Sequence, residues 1–339
     1  MEEEIILEDL IERHTAVVTM SRSGYIKRMN SDTYTAQRRG GKGIIGMTTK
    51  ESDFVVQVTA VDSHSHLMMF TSRGRVQVIR AFRIPEASRT AKGTNLVNLL
   101  ELEDGEKVTA MIAVDNFEES QEPRYLLFVT RNGVVKRTDL MEYAYQRKGG
   151  KRALTLDEDD ELLFVRLTDG KGEIIIASHE GQATRFDERD ARVMGRSARG
   201  VRGIRLEDGD YCVGCAVVEE GKDLVTITEG GFGKRSGFGD FACHNRGGKG
   251  VCCHKLSDKT GKLCGIAAVD DGDDLMLITG DGTLIRTPAT DLPSYSRAAG
   301  GVIVMRLKGE ERICNFAVLP ASEKEDEEPT VGEDENEEL

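Results

Sequence analysis

Residues 37–43 read QRRGGKG, three cations and three glycines behind one glutamine. Arginine and lysine neutralise an anion, and glycine lets backbone N–H groups come close to it, so this composition suits phosphate. A nucleotide loop needs G-x-x-x-x-G-K-[ST], with the hydroxyl on magnesium. Here Gly41-Lys42 has Ala36 where the first glycine belongs and Gly43 where the hydroxyl belongs; Gly150-Lys151 and Gly248-Lys249 fail the same test. The sequence supports no nucleotide site and no catalytic cluster.

The heptad is one of six. Each lies at one distance from an apolar run broken by a turn glycine: Gly24, Gly74, Gly133, Gly181, Gly231 and Gly282. Counting 19 residues on from each reaches Gly43, Gly93, Arg152, Gly200, Gly250 and Gly301. The heptads ending there, boxes 1 to 6, are QRRGGKG, ASRTAKG, QRKGGKR, MGRSARG, HNRGGKG and YSRAAGG. Their third position is always basic: Arg39, Arg89, Lys148, Arg196, Arg246 and Arg297. The sixth is basic in five, Lys42, Lys92, Lys151, Arg199 and Lys249, and Gly300 in the last. Arg38 and Arg147 add charge at the second position of boxes 1 and 3. A basic slot filled six times in register predicts an evenly spaced array of phosphate-seeking loops.

A second chemistry is offered by Cys212 and Cys215, with Cys243, His244, Cys252, Cys253 and His254 nearby, a zinc-like composition. The repeat argues against it. GCAVV after Cys212 aligns with GIAAV at 265–269, which puts Cys215 where Ile266 sits and Cys212 where Leu263 sits. Cysteine as a small core hydrophobe is the expectation, with no metal.

The elements that must carry the boxes are hairpins. Segments such as LMMFTSRGRVQV and LLFVTRNGVVKR run apolar into a glycine turn and alternate on the way out. Asn132-Gly133 and Asp281-Gly282 predict type I′ turns. With further apolar stretches such as IIGM and LVNLL read as strands, each repeat of about 50 residues makes a four-stranded unit. Six such units predict one all-β domain, a six-bladed β-propeller, in which neighbouring sheets cover each other's faces. No helix of three turns is expected in the repeats; only the EDLIER stretch near the start reads as a short helix.

The chain carries a formal charge of −13 over 339 residues, but residues 321–339 hold ten acids and one lysine. The rest has 49 acids against 45 basic residues, and residues 21–46 carry six Arg/Lys and one Asp. Partners are selected by such patches rather than by the sum. No run of 18 apolar residues exists and the start, MEEEIILEDL, is acidic, so a cytoplasmic protein without a membrane partner is expected, with reduced thiols. Few aromatic residues flank the boxes, which disfavours single strands and favours duplex DNA held by its backbone.

QRRGGKG, with SRSGYIKR before it, resembles the signature box of the C-terminal domain of the DNA gyrase A subunit, over roughly residues 8–320. The resemblance implies a β-pinwheel, with four strands in each of six blades, that wraps duplex DNA. It implies partners in the A subunit's N-terminal cleavage core and the gyrase B subunit, an ATP- and magnesium-using holoenzyme that introduces negative supercoils, and a bacterial, nucleoid-associated setting. Residues 1–11 would end the linker, 12–320 form the pinwheel and 321–339 an acidic tail. The tail reads most simply as a disordered solvating end; the alternative is that it competes with DNA for the basic rim. Gln37, Arg38, Arg39, Gly40, Gly41, Lys42 and Gly43 would secure the wrap, and the less complete boxes would guide DNA round the rim. No cofactor belongs to this chain, and the catalytic tyrosine of the family lies in a region not represented in it. A topoisomerase IV A-subunit domain, or a propeller scaffold that meets an acidic protein, are the alternatives.

Overall fold

The computed structural model describes residues 11–30, 53, 55–88, 91–118, 122–145, 149–280 and 284–319. Six antiparallel hairpins dominate it. Their arms are Thr15–Ser21 with Tyr25–Asn30, His66–Thr71 with Arg75–Arg80, and Tyr125–Thr130 with Val134–Asp139. The same pairing joins Glu173–Ser178 to Gln182–Asp187, Asp223–Thr228 to Phe232–Gly237, and Asp274–Thr279 to Leu284–Pro288. Blades 1 to 6 take their numbers from these hairpins.

The Asn132-Gly133 turn differs from the I′ expectation. Gly133 N–H donates to Thr130 O at 3.1 Å, Gly133 has φ +80°, and among the described residues no non-glycine residue has positive φ. That is the pattern of a type I turn followed by a left-handed glycine, because I′ would need positive φ at Asn132 as well. In blades 1 to 5 a serine or threonine opens the turn and caps it: Thr71, Thr130 and Thr228 each accept from the N–H four residues on, all at 3.2 Å, and Ser21 and Ser178 do the same at 3.1 and 3.4 Å. The Asp281-Gly282 turn lies outside the described residues.

Each hairpin is flanked on its inner side by a strand from the same repeat. These are Val55–Asp62, Val108–Val114, Leu162–Thr168, Cys212–Val217, Leu263–Val269 and Ile313–Leu319. A bulge falls at the same place in all six pairings, beside the turn-opening Ser or Thr. Bulges sharpen the local twist. Successive inner strands touch, and Ile313–Leu319 meets Val55–Asp62, so the hub closes into a ring. Apolar clusters fill the gaps between blades; Phe70 of blade 2 and Phe128 of blade 3 meet edge to face at 5.5 Å. Burying such a ring fully is worth about 1.5–3 kcal/mol, so the contacts between blades hold the wheel together.

The fourth strand is borrowed. Thr94–Asn95 pairs with blade 1, Lys151–Arg152 with blade 2, Val201–Arg202 with blade 3, Val251–Cys252 with blade 4 and Val302–Ile303 with blade 5. Every lender is the repeat that follows in sequence. Among the described residues blade 6 has three strands, and the IIGM segment lies outside them. The all-β, six-bladed reading holds, but LVNLL is not a strand: Leu96–Asn98 is a 3-10 turn capped by Asn95. The only helices among the described residues are such 3-10 turns of three or four residues. Of EDLIER, residues 8–10 lie outside the described set and 11–13 are not helical.

Candidate nucleic-acid interface

Each described box follows a 3-10 turn at the end of its own hairpin, crosses to the preceding blade, and ends where the lent strand begins. The last box position explains itself. At Gly250 φ is +80° and a Cβ would lie 2.6 Å from Ala183 O; at Gly200 φ is +101° and the Cβ would lie 2.5 Å from Val135 O. Only glycine tolerates both demands. Gly150 meets the same two demands, with φ +80° and Val76 O at 2.6 Å. The structural end of box 3 is therefore Gly150 and not Arg152, and its connection is two residues shorter than the 19-residue ruler. Lys151 is thereby moved out of the loop: it is the first residue of the lent strand, opposite Val76, with Nζ 5.4 Å from the Tyr145 ring.

Boxes 4, 5 and 6 are each bonded to the segment that follows the preceding box. The fifth residue of a box accepts from the amide five residues past the end of the box before it: Thr155 N–H to Ala198 O at 3.2 Å, Arg205 N–H to Gly248 O at 2.8 Å, and Lys255 N–H to Ala299 O at 3.1 Å. Boxes 4 to 6 are thus tied in series, through the segments after boxes 3 to 5, into a belt along the lent strands.

The cations of the belt divide into two groups. At the third position, Arg246 donates from Nε to Asp190 O at 2.9 Å and from Nη1 to Arg202 O at 3.0 Å. Arg297 Nη1 donates to Cys252 O at 2.9 Å. Arg196 lies 3.7 Å from Glu142. At the sixth position the side chains point to solvent. Lys92 is exposed with Nζ 4.0 Å above the Tyr25 ring; Arg199 pairs with Asp157, and Lys249 with Glu207 at 2.8 Å. Arg199 and Lys249 are 69% and 67% exposed, and such pairs contribute about 0–1 kcal/mol, so an incoming phosphate can displace the acid. Gln37, Arg38, Arg39, Gly40, Gly41, Lys42 and Gly43 of box 1, Arg89 of box 2, and Arg147 and Lys148 of box 3 lie outside the described residues.

Sequence reasoning missed what lies under the boxes. Three residues after the turn glycine stand Lys27, Lys136 and Lys234, exposed by 2%, 0% and 0%. Lys136 Nζ donates to Ala153 O and Arg196 O, both at 2.7 Å. Lys234 Nζ donates to Ser236 Oγ at 2.8 Å and to Ser296 O and Arg297 O at 3.0 and 2.9 Å. Lys27 Nζ reaches Ser88 O and Ala91 O at 3.3 and 3.0 Å. Burial, reinforced by Arg196, pushes the Lys136 ammonium down to about 7; burial pushes Lys234 down to about 8. The arginine that follows holds the other end of the same loop: Arg28 Nε to Ile84 O at 3.2 Å, and Arg137 Nε to Ala191 O at 3.0 Å. The available signal was a Lys-Arg pair recurring in repeats 1, 3 and 5, read only as the outgoing strand.

Cys212 and Cys215 sit where the repeat put them, buried between blades 3 and 4 against Leu127, Ile176 and Phe186. Burial pushes the Cys215 thiol up to about 11, as for a core hydrophobe. Among the described residues no three His, Cys, Asp or Glu side chains are grouped as metal ligands, and no helix is long and apolar enough to cross a membrane.

Together these features define a closed wheel of lent-strand blades with a basic belt on its rim, the class of the pinwheel domains. The chain belongs to the DNA gyrase C-terminal domain family: the family model, described as a beta-propeller, matches residues 16–62, 65–115, 124–169, 172–219, 222–270 and 273–320. It is 44% identical over 324 residues to the DNA gyrase A subunit of Clostridium acetobutylicum, covering 96% of this chain and 39% of the relative. Against the DNA gyrase A subunit of Staphylococcus aureus strain MRSA252 it is 40% identical over 332 residues, covering 96% of this chain and 37% of the relative. The chain thus spans less than two-fifths of the length of either relative. A crystal structure of the C-terminal domain of DNA topoisomerase IV superposes with TM-score 0.77 at 26% identity, over 93% of this chain and 96% of that one. A DNA gyrase A C-terminal domain superposes with TM-score 0.74, also at 26% identity, over 91% of this chain and 100% of that one.

Proposed function

We propose that this chain binds duplex DNA and wraps it around the rim, as the C-terminal domain of a gyrase A subunit. The wrapped segment would then be handed to a cleavage core and B subunit that supply the tyrosine, ATP and magnesium chemistry of negative supercoiling. The chain's own part is geometric. One observation carries this reading: boxes 4, 5 and 6 are each hydrogen-bonded to the segment that follows the preceding box, with Arg199 and Lys249 facing out at matching positions. Bending 20–30 bp of duplex costs on the order of 1–6 kcal/mol. A continuous belt spreads that cost over several phosphate contacts, which separate loops could not do. By the family resemblance the intact first box, Gln37–Gly43, secures the end of the wrap. Lys92, Arg199 and Lys249 are the phosphate contacts on the described rim, and Arg196 adds to the field. The 44% relative favours the gyrase reading over the topoisomerase IV one. The acidic tail acts as an internal competitor for the same rim, and the setting is the cytoplasm, on the nucleoid.

The test is religation of nicked plasmid in the presence of the chain. A change in linking number that grows with bound protein is expected, with affinity falling roughly 10³–10⁵-fold between 50 and 200 mM salt if 6–10 phosphates are neutralised. Unchanged linking number with a shallow salt slope would instead favour the scaffold for an acidic protein.

A further inference from the structure

The most constant feature of the repeat, the cation at the third box position, is half-buried at Arg246 and Arg297 and donates there to main-chain carbonyls. Arg246 binds two carbonyls on different pieces of chain: Asp190 O in the 3-10 turn of the preceding repeat, and Arg202 O in the strand which that repeat lends. Arg297 binds Cys252 O, the equivalent carbonyl one blade on, in the strand lent after box 5. The acceptor in both cases is the second residue past the end of the preceding box. Main-chain bonds run beside the guanidinium: Gly247 N–H to Gly203 O at 2.6 Å and Arg205 N–H to Gly248 O at 2.8 Å around Arg246, and Lys255 N–H to Ala299 O at 3.1 Å around Arg297.

We infer that Arg246 and Arg297 are positioning residues that latch each box to the one before it and so fix the distance between phosphate stations, whereas the sixth-position cations make the contacts. The functional half of this inference rests on the DNA-wrapping reading above; the structural half does not. A duplex laid on loops that could slide apart would stay straight and pull them to it. Latched loops keep their spacing, so the duplex bends. The guanidinium suits the task because its planar fork serves two carbonyls at once and stays charged at any working pH. A lysine in its place keeps the charge and loses the fork.

The charge-conserving double variant Arg246→Lys/Arg297→Lys therefore separates latch from contact. In the DNA-free chain, amide exchange at Gly247, Arg205 and Lys255 should speed up by about tenfold or more, with the hub strands unchanged. Unchanged protection at those amides overturns the latch, whether or not the chain binds DNA. With DNA, affinity for a linear duplex should stay within about twofold, because the charge is kept, while linking-number change per bound chain falls by at least about half. Bending retained with a weakened affinity would show that the guanidinium groups touch phosphate, and would overturn the division of roles. Lys249→Gln is the reciprocal control: its salt slope should drop by about 1 with loop exchange untouched. If the double variant does not fold, Arg297→Lys alone, with one carbonyl partner to lose, gives the same readings at Lys255. A wild-type chain without affinity for duplex removes the wrapping reading and leaves the exchange result to decide the latch.

Discussion

Boxes 4 and 5 lie side by side on the rim and are supported differently. Box 4, MGRSARG, rests on blade 3, where Lys136 fills the space beneath it and binds the loop carbonyl of Arg196. Box 5, HNRGGKG, rests on blade 4, where Thr184 stands at the same register and Gly247 takes φ +84°. Boxes 2 and 6 follow box 4, with Lys27 and Lys234 beneath. The heptads that depart from the glycine pair thus coincide with the blades that hold a buried lysine. What reads as erosion of a motif is a second way of building the loop. One version is shaped by glycine and main-chain bonds, the other is pinned from below by an amine.

That contrast is open to measurement. The largest effect should come from Lys136→Met, which leaves the Arg196 carbonyl without this donor and removes one of two donors to Ala153 O, the Tyr143 hydroxyl remaining at 3.1 Å. One unsatisfied acceptor costs about 1–3 kcal/mol and the second lost hydrogen bond about 0.5–1.5 kcal/mol, so a loss of about 2–4 kcal/mol is expected in denaturant unfolding. Thr184→Ala should cost about 1 kcal/mol or less. Equal losses would erase the distinction between the two supports.

A smaller and sharper test is glycine replacement within box 5. Gly250→Ala forces a Cβ against Ala183 O at positive φ and should cost about 1–3 kcal/mol. Gly248→Ala meets nothing within 4 Å and should stay within about 0.5 kcal/mol. If both are silent, the end of the box is not the fixed point described above.

The gentlest test is pH. Lys136 is held at about 7 in the fold against an ordinary 10.5, mainly by burial and then by Arg196, with Glu142 opposing. Between pH 7 and about 10 the unfolded chain keeps a proton that the fold has released, so this residue's contribution to stability rises with pH. The difference in unfolding free energy between wild type and Lys136→Met should grow across that window. A flat difference would mean that the amine stays charged beneath box 4.

Much of the wheel was legible in the sequence because its signals are local. A Ser or Thr three residues before a glycine, with alternation after it, specifies a hairpin, and six of them at near-constant spacing specify blades. The assignment of Cys212 and Cys215 to the core followed from their register with Leu263 and Ile266. What escaped was non-local or depended on single insertions. The borrowing of the edge strand by the preceding blade leaves no mark within a repeat. Box 3 was misregistered because its connection is two residues shorter, and only the close approach of Gly150 to Val76 O reveals it. LVNLL is apolar enough for a strand, but Asn95 accepts from Val97 N–H and starts a turn instead. The I′ turn at Asn132-Gly133 failed because a following left-handed glycine lets Asn132 keep negative φ. Arg246 and Arg297 were read by charge, although what distinguishes them is the carbonyls they reach.

The borrowed edge strand has a bearing on how such wheels change size. Repeats 1 to 5 each offer their successor the same vacant margin and repeats 2 to 6 each hand their predecessor the same short finger, so these couplings are interchangeable. Excising one internal repeat, from one hairpin start to the next, leaves a margin and a finger that still match. Gain or loss of a blade then requires no new junction, only a hub able to close on a different number of spokes.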